Sequence, residues 1–343
     1  MRAVVLHAPQ DLRIEERAPQ SPGHQEVRVA IKAGGICGSD LHYYNHGGTA
    51  TIRLREPMVL GHEIAGVIAE IGDGVEGLSV GTRVAVNPSR ACGYCQQCQA
   101  GRQNHCINMR FMGSAMRFPH DQGGFRQSVT IPAAQAIPLE GNTSLEEAAM
   151  AEPLAVCLHA VRIAGPLLGK RILVTGAGPI GGLVTILARY GGAREIVVTD
   201  LSTFPLGIAN NCGATRVINV RDEPDALANY ATGKGHFDLC FEASGSAVAL
   251  QQALPAMVPQ GTVVQLGLGG EFSLPINAII TREVRLLGSF RFHAEFAEAV
   301  DLLGSGMIDV KPLITAVLPF EESVKAFELA NQRDGALKVQ ISF

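Results

Sequence analysis

No apolar run in these 343 residues approaches the roughly 18 that a membrane helix needs, which excludes such a helix as the organising element. The stretch MRAVVLHAPQDLRIEE alternates apolar and polar positions and lacks the continuous apolar segment of a secretion signal, so a cytoplasmic location is the expectation. An excess of one charge is also missing. Lys and Arg number 28 against 32 Asp and Glu, a net charge of −4, and no basic tail or charge block invites nucleic acid. An anionic substrate would be drawn by local arginines, not by the overall field. Internal repeats and low-complexity linkers are absent too. What remains is 47% hydrophobic and 17% charged, the balance of a globular protein with a large buried core, and long enough for two domains.

The rhythm of the chain changes once. From 1 to 150, short alternating strands (RAVVLHA, EVRVAIKAG, EIAGVIAEIG, TRVAVNPS) are broken by glycine and proline, a pattern that predicts a small antiparallel β-barrel with long loops. From 151 to 290, apolar strands (RILVT, EIVVT, FDLCF, TVVQL) alternate with helical stretches, which predicts a parallel sheet with crossover helices. The tail, 291–343, carries two amphipathic helical stretches and the strand KVQISF, and is expected to return to the first domain. The fold class is therefore α/β, a barrel domain joined to a doubly wound parallel sheet.

KRILVTGAGPIGG, residues 170–182, reads as a buried strand, a glycine turn and a helix start. Gly176, Gly178 and Gly181 have the G-x-G-x-x-G spacing: one for a tight turn, one for the approach of a pyrophosphate, one for close helix packing. Pro179 and Ile180 open the helix, whose unpaired amides suit phosphate. A glycine-rich turn without a ligand would show the same letters, but here a second strand follows and ends in Asp200, where ribose hydroxyls need an acceptor. Asp200 repels a 2′-phosphate, and Leu201 to Pro205 include no base to hold one. NAD is the preferred cofactor and NADP the alternative.

Of the 8 cysteines, four fall in CGYCQQCQAGRQNHC. Cys92, Cys95, Cys98 and Cys106 make a closed set of four thiolates, which predicts a structural zinc. An iron–sulfur cluster and a nucleic-acid zinc knuckle are the competing readings. Cys157, Cys212 and Cys240 lie in apolar stretches and read as buried, inert thiols.

GGICGSDLHYY offers Cys37, Ser39, Asp40 and His42; VLGHE offers His62 and Glu63; AEPL offers Glu152. A thiol, an imidazole and carboxylates make the mixed donor set of a catalytic zinc with room for substrate. Taken singly, His62 reads as a packed histidine and Cys37 as a buried thiol. Together with the cysteine lobe and the glycine turn, these segments, in this order and across essentially the whole chain, resemble the zinc-containing medium-chain alcohol and polyol dehydrogenases. The resemblance implies a GroES-like barrel and a Rossmann domain with the site in the cleft between. It implies Cys37, His62 and Glu63 as zinc ligands, with Glu152 as a fourth or alternating one, direct or through water. It also implies Ser39 as acceptor of the substrate proton and a homotetramer or dimer. His42 would pass that proton on, or be a structural histidine, and Asp40 would orient a ligand histidine.

Within the family, GGICGSDLHYY, MRFMGSAMRFPHDQGGF (109–125), AEPLAVCLHA, GSFRF and KVQISF are most similar to members that oxidise a sugar acid. A neutral polyol (sorbitol, xylitol) is the rival substrate, and a cofactor-binding protein without catalysis is the rival of another class. A sugar acid needs a cation for its carboxylate. Arg291 is the first expectation, with Arg110, Arg117 and His120 as others, and Tyr43, Phe111 and Ser114 lining the pocket.

Overall fold

The computed structural model describes residues 1–49 and 51–343. The strand Glu26–Gly35 is the spine of the first half. Period-two alternation buries Val27, Val29, Ile31 and Ala33, as a strand with one covered face requires. Glu63–Ile71 pairs antiparallel along its length. Ser128–Pro132 pairs with its start and Lys338–Ser342 with its end. Arg83–Val86 and Ala136–Pro138 extend this sheet beyond Glu63–Ile71. A three-stranded sheet built on Arg2–Ala8 covers it, tied on by Val4 N donating to Phe125 O at 2.8 Å.

Two strands of the tail join this sheet, with one difference from an all-antiparallel barrel. Ile314–Pro319 runs parallel to Lys338–Ser342, because the helix Ser323–Ala330 carries the chain back to the same end before the second strand begins.

The second half is a six-stranded sheet, parallel throughout. Its order is Arg216–Asn219, Glu195–Asp200, Arg171–Thr175, Phe237–Glu242, Met257–Gln265, Arg285–Gly288. Numbered along the chain this is 3-2-1-4-5-6, the Rossmann order. Helices such as Pro179–Tyr190 and Ala247–Ala253 cover both faces, so Ile172 to Val174, Ile196 to Val198 and Leu239 to Phe241 are unbroken apolar runs. The strand order reverses between Arg171–Thr175 and Phe237–Glu242. The crevice at their carboxyl ends holds the glycine turn.

The helix Ala151–Ala164 joins the halves. It packs on Glu295–Gly304 and Pro179–Tyr190, and its small residues Ala151, Ala155 and Ala160 belong to one continuous core with Ala33, Ala65, Ile172 and Val174. Its first turn therefore carries Glu152 into the joint. No helix among the described residues is long and apolar enough to cross a membrane. Cys157, Cys212 and Cys240 are buried as expected, and burial pushes their thiols up, Cys212 to about 12.

Candidate active site

Cys37 caps the helix Gly38–His46, and His62 immediately precedes the strand Glu63–Ile71. The turn and the strand bring one donor atom each from Cys37, His62 and Glu63 within 4.8 Å of one another. Asp40, fully buried in the helix's first turn, holds the two segments together. Its carboxylate accepts from Cys37 N at 3.0 Å and from Gly61 N at 3.1 Å. Its Oδ1 lies 3.8 Å from His62 Nδ1, a buried nitrogen with no hydrogen-bond partner. Glu152 stands outside the triad, yet close enough to be influenced by His62, Glu63 and Cys37.

The electrostatics fit a divalent ion. Burial, with Glu63 beside it, pushes the Cys37 thiol up to about 12, and burial pushes the Glu152 carboxyl up to about 8. Such groups ionise when a cation supplies the missing counter-charge. A buried imidazole with an unsatisfied nitrogen, a thiol and two carboxyls therefore make a suitable mixed donor set for zinc.

One member of this centre is absent from the sequence reading. Lys338, 2% exposed, donates from Nζ to both oxygens of Glu63, at 2.8 and 2.7 Å, and to Ile36 O at 3.1 Å. Burial opposes its charge, but Glu63 and Cys37 outweigh burial and raise its pKa. Were Cys37, Glu63 and nearby Glu152 all ionised around a divalent ion, one negative charge would be left over, and Lys338 would offset it.

The second cysteine group is a closed set. Cys95–Cys98 and Cys92–Cys106 are 3.5 Å apart between sulfurs, Cys95–Cys106 3.9 Å and Cys92–Cys98 4.0 Å. A tetrahedron with Zn–S bonds of about 2.3 Å has edges of about 3.8 Å, so the four sulfurs suit one zinc. Amides of Cys92 and Asn108 donate to Cys106 Sγ at 3.2 and 3.3 Å.

The remaining candidates separate clearly. Arg291 lies over the Phe111 ring at 4.6 Å and beside the Phe290 ring at 5.0 Å, and Phe111 faces the His62 ring at 5.5 Å. Arg291 and Arg117 both line a cleft beside the four-cysteine segment. Arg110 instead pairs with Asp121 at 2.9 Å, and His120 is buried, its Nε2 receiving Arg55 N at 2.9 Å. Tyr43 is buried, its hydroxyl taken by Ala115 N at 3.0 Å; Ser114 is buried, its hydroxyl taken by Met116 N at 3.3 Å. Tyr44 packs on Phe327. Ser39 reaches the Cys37 thiol, and His42 is exposed on the same helix.

At the glycine turn, Gly176 holds φ +89, and a Cβ there would meet Ser244 N at 2.8 Å. A Cβ on Gly181 would stand 1.8 Å from Gly176 O, whereas one on Gly178 would meet nothing within 4 Å. That open space fronts the first turn of Pro179–Tyr190, where a pyrophosphate fits. Asp200 accepts from Ala177 N at 2.7 Å and Ser202 N at 3.0 Å, fixing its carboxylate beside the turn. Glu242, also unforeseen from the sequence, is buried at the reversal point and braces the facing loop through Ser244 N (2.9 Å) and Gly245 N (3.0 Å).

Gly178→Val should therefore leave the melting temperature unchanged while raising KM for the dinucleotide about tenfold or more, since it fills only the phosphate's space. Gly181→Ala should lower the melting temperature. Steady-state kinetics and calorimetry on the pair check this; equal unfolding of both variants would refute it.

Residues 23–141 match the alcohol dehydrogenase GroES-like domain, and residues 179–305 match the zinc-binding dehydrogenase family. The chain is 40% identical over 316 residues to L-idonate 5-dehydrogenase (NAD(P)(+)) of Escherichia coli (strain K12), covering 92% of this chain and 91% of that protein. It is 35% identical over 346 residues to sorbitol dehydrogenase of Bacillus subtilis (strain 168), covering 99% and 97%. The crystal structure of L-idonate 5-dehydrogenase from Escherichia coli K-12 superimposes with a TM-score of 0.95 at 37% identity, over 100% of this chain and 98% of that one.

Proposed function

This chain belongs to the zinc-binding alcohol dehydrogenase family, oxidoreductases that work with zinc and a nicotinamide dinucleotide, and from that premise we propose that its substrate is a sugar acid, L-idonate, oxidised to 5-dehydro-D-gluconate. The observation that carries the reading is Arg291. Two phenyl rings flank its guanidinium, with the Phe111 ring between it and His62; Nη2 donates to Met116 Sδ at 3.1 Å, and the other N–H groups are left for a carboxylate. Burial draws its pKa down while Glu152 and Tyr43 support the charge. The relative named for L-idonate is 40% identical, but the one named for sorbitol is 35% identical, so a neutral polyol is the second reading.

Cys37, His62 and Glu63, with Glu152 nearby, would hold zinc, which would supply Lewis acidity, and a nicotinamide dinucleotide at the glycine turn would supply the hydride acceptor. Ser39 takes the hydroxyl proton, exposed His42 hands it to solvent, and Asp40 keeps the Cys37 and His62 segments in register. Asp200, with no base among the five residues after it, favours NAD over NADP. Among the described residues the outer strand Arg285–Gly288 pairs on one side only, and Ile280 in the preceding helix is exposed, which supports association of subunits along that edge.

Turnover of L-idonate, D-gluconate and sorbitol with each dinucleotide tests the assignment. Arg291→Ala should raise KM for L-idonate about tenfold to a hundredfold and change KM for sorbitol little, the loss expected for one charge-assisted carboxylate contact. Equal losses on both substrates would remove Arg291 as the carboxylate's partner. A wild-type preference for sorbitol would remove the sugar acid.

A further inference from the structure

Arg291 occupies a conformation that its own segment does not favour. Its φ is +56, in the left-handed region that a residue with a Cβ seldom enters, and such strain persists only where neighbours fix it. The neighbours belong to the four-cysteine lobe. Asn104, buried two positions before Cys106, donates from Nδ2 to Phe290 O at 3.0 Å, at the peptide that enters Arg291. His105 stacks on the Phe290 ring, with centroids 5.9 Å apart and planes at 27°. From His62 through Phe111, Arg291 and Phe290 to His105, five flat groups therefore form one continuous chain of contacts, tilted at 57° between His62 and Phe111 and stacked between Phe290 and His105, that joins the triad to the lobe.

The same contacts enclose a cleft of about 570 Å³, lined by Asn104, Ile107, Met116, Arg117, Phe290 and Arg291. Arg117 Nε is committed to Met109 O at 2.8 Å, which ties that guanidinium's stem to the lobe as well. Asn104 Nδ2 also lies 3.5 Å from His159 Nε2, whose Nδ1 faces Glu295 Oε1 at 3.1 Å, so the anchor is backed by the helix Ala151–Ala164.

We propose that the four-thiolate lobe is the specificity element of this enzyme: Asn104 and His105 are positioning residues that hold Arg291, with Arg117 across the cleft, to receive the carboxylate end of the substrate. The lobe then does more than fold itself around a metal, because its register against Phe290 sets where the acid group binds. This rests on the sugar-acid reading, and the test separates the two.

The experiment measures KM and kcat for L-idonate and for sorbitol, and the inhibition constant of D-gluconate as a carboxylate probe. It uses the zinc-loaded wild type, Asn104→Ala, His105→Ala and His105→Phe. Asn104→Ala and His105→Ala should raise KM for L-idonate and weaken D-gluconate about five- to tenfold, with kcat and sorbitol KM little changed and both zincs retained. His105→Phe keeps a flat ring against Phe290 and should restore the wild-type values. Losses shared equally by sorbitol, or no loss at all, would overturn the lobe's role. If Asn104→Ala sheds its lobe zinc, the His105 pair decides the matter. A wild type that neither prefers L-idonate nor binds D-gluconate overturns the substrate reading itself.

Discussion

Cys37→Ala should abolish turnover, lowering kcat/KM about 10³-fold or more, the effect of several kcal/mol of lost Lewis acidity. The zinc content should fall from two per chain to one, because the four-sulfur group is a separate set that the substitution does not touch. The fold and dinucleotide binding should survive, since the glycine turn and its sheet do not depend on Cys37. Metal analysis alongside kinetics checks this. Two zincs retained in an inactive Cys37→Ala protein would mean that the triad is not the catalytic metal's site. A wild type holding one zinc would favour the noncatalytic alternative.

Lys338→Met is expected to be the most destabilising single exchange at the site. It leaves the buried Glu63 carboxylate without its ion-pair partner, and breaking such a pair from one side costs about 3–5 kcal/mol. The loss should be larger in metal-stripped protein than in zinc-loaded protein, because a divalent ion can stand in as counter-charge for Glu63. Adding Glu63→Gln to Lys338→Met should recover much of the stability, since it removes the orphaned charge. Melting temperatures of the wild type, Lys338→Met and the double variant, with and without chelator, decide the point. A Lys338→Met chain as stable as wild type, or a double variant no better than the single one, would show that the pair does not carry this load.

How much of this was legible in the sequence depends on whether a residue's role is local. The glycine turn was legible because sterics leave no substitute: Gly176 has a positive φ, and Gly181 has Gly176 O where its Cβ would be. The cysteine lobe was legible because its four thiols lie within fifteen residues and two-residue gaps let neighbours converge. The change from alternating to continuous apolar strands gave the two architectures, because it reports directly whether one face or both are covered. Cys37, His62 and Glu63 needed one another, and the rest of the chain, to stand out.

What the sequence hid is long-range. Lys338 lies in KVQISF, whose alternation suggests a strand with one wet face. Lys338–Ser342 is instead paired on both edges and almost wholly buried, so its lysine points at Glu63. Asn104 meets Phe290 across 186 positions, and nothing near either residue marks the other. Arg110, Arg117 and His120 were equivalent by type, and only packing reveals that Asp121 and the Arg55 amide occupy two of them.

The separation of Lys338 from Glu63 by 275 positions has a bearing on biosynthesis. A ribosome delivers residues 37 to 63 long before it delivers the lysine that offsets them. During that interval the half-made barrel lacks both the closing strand and its internal cation, and an ion captured early would be held by loose, incompletely neutralised ligands. Loading of the catalytic metal in the cell should accordingly follow synthesis of the closing strand, whereas the cysteine lobe can take up its ion earlier in translation.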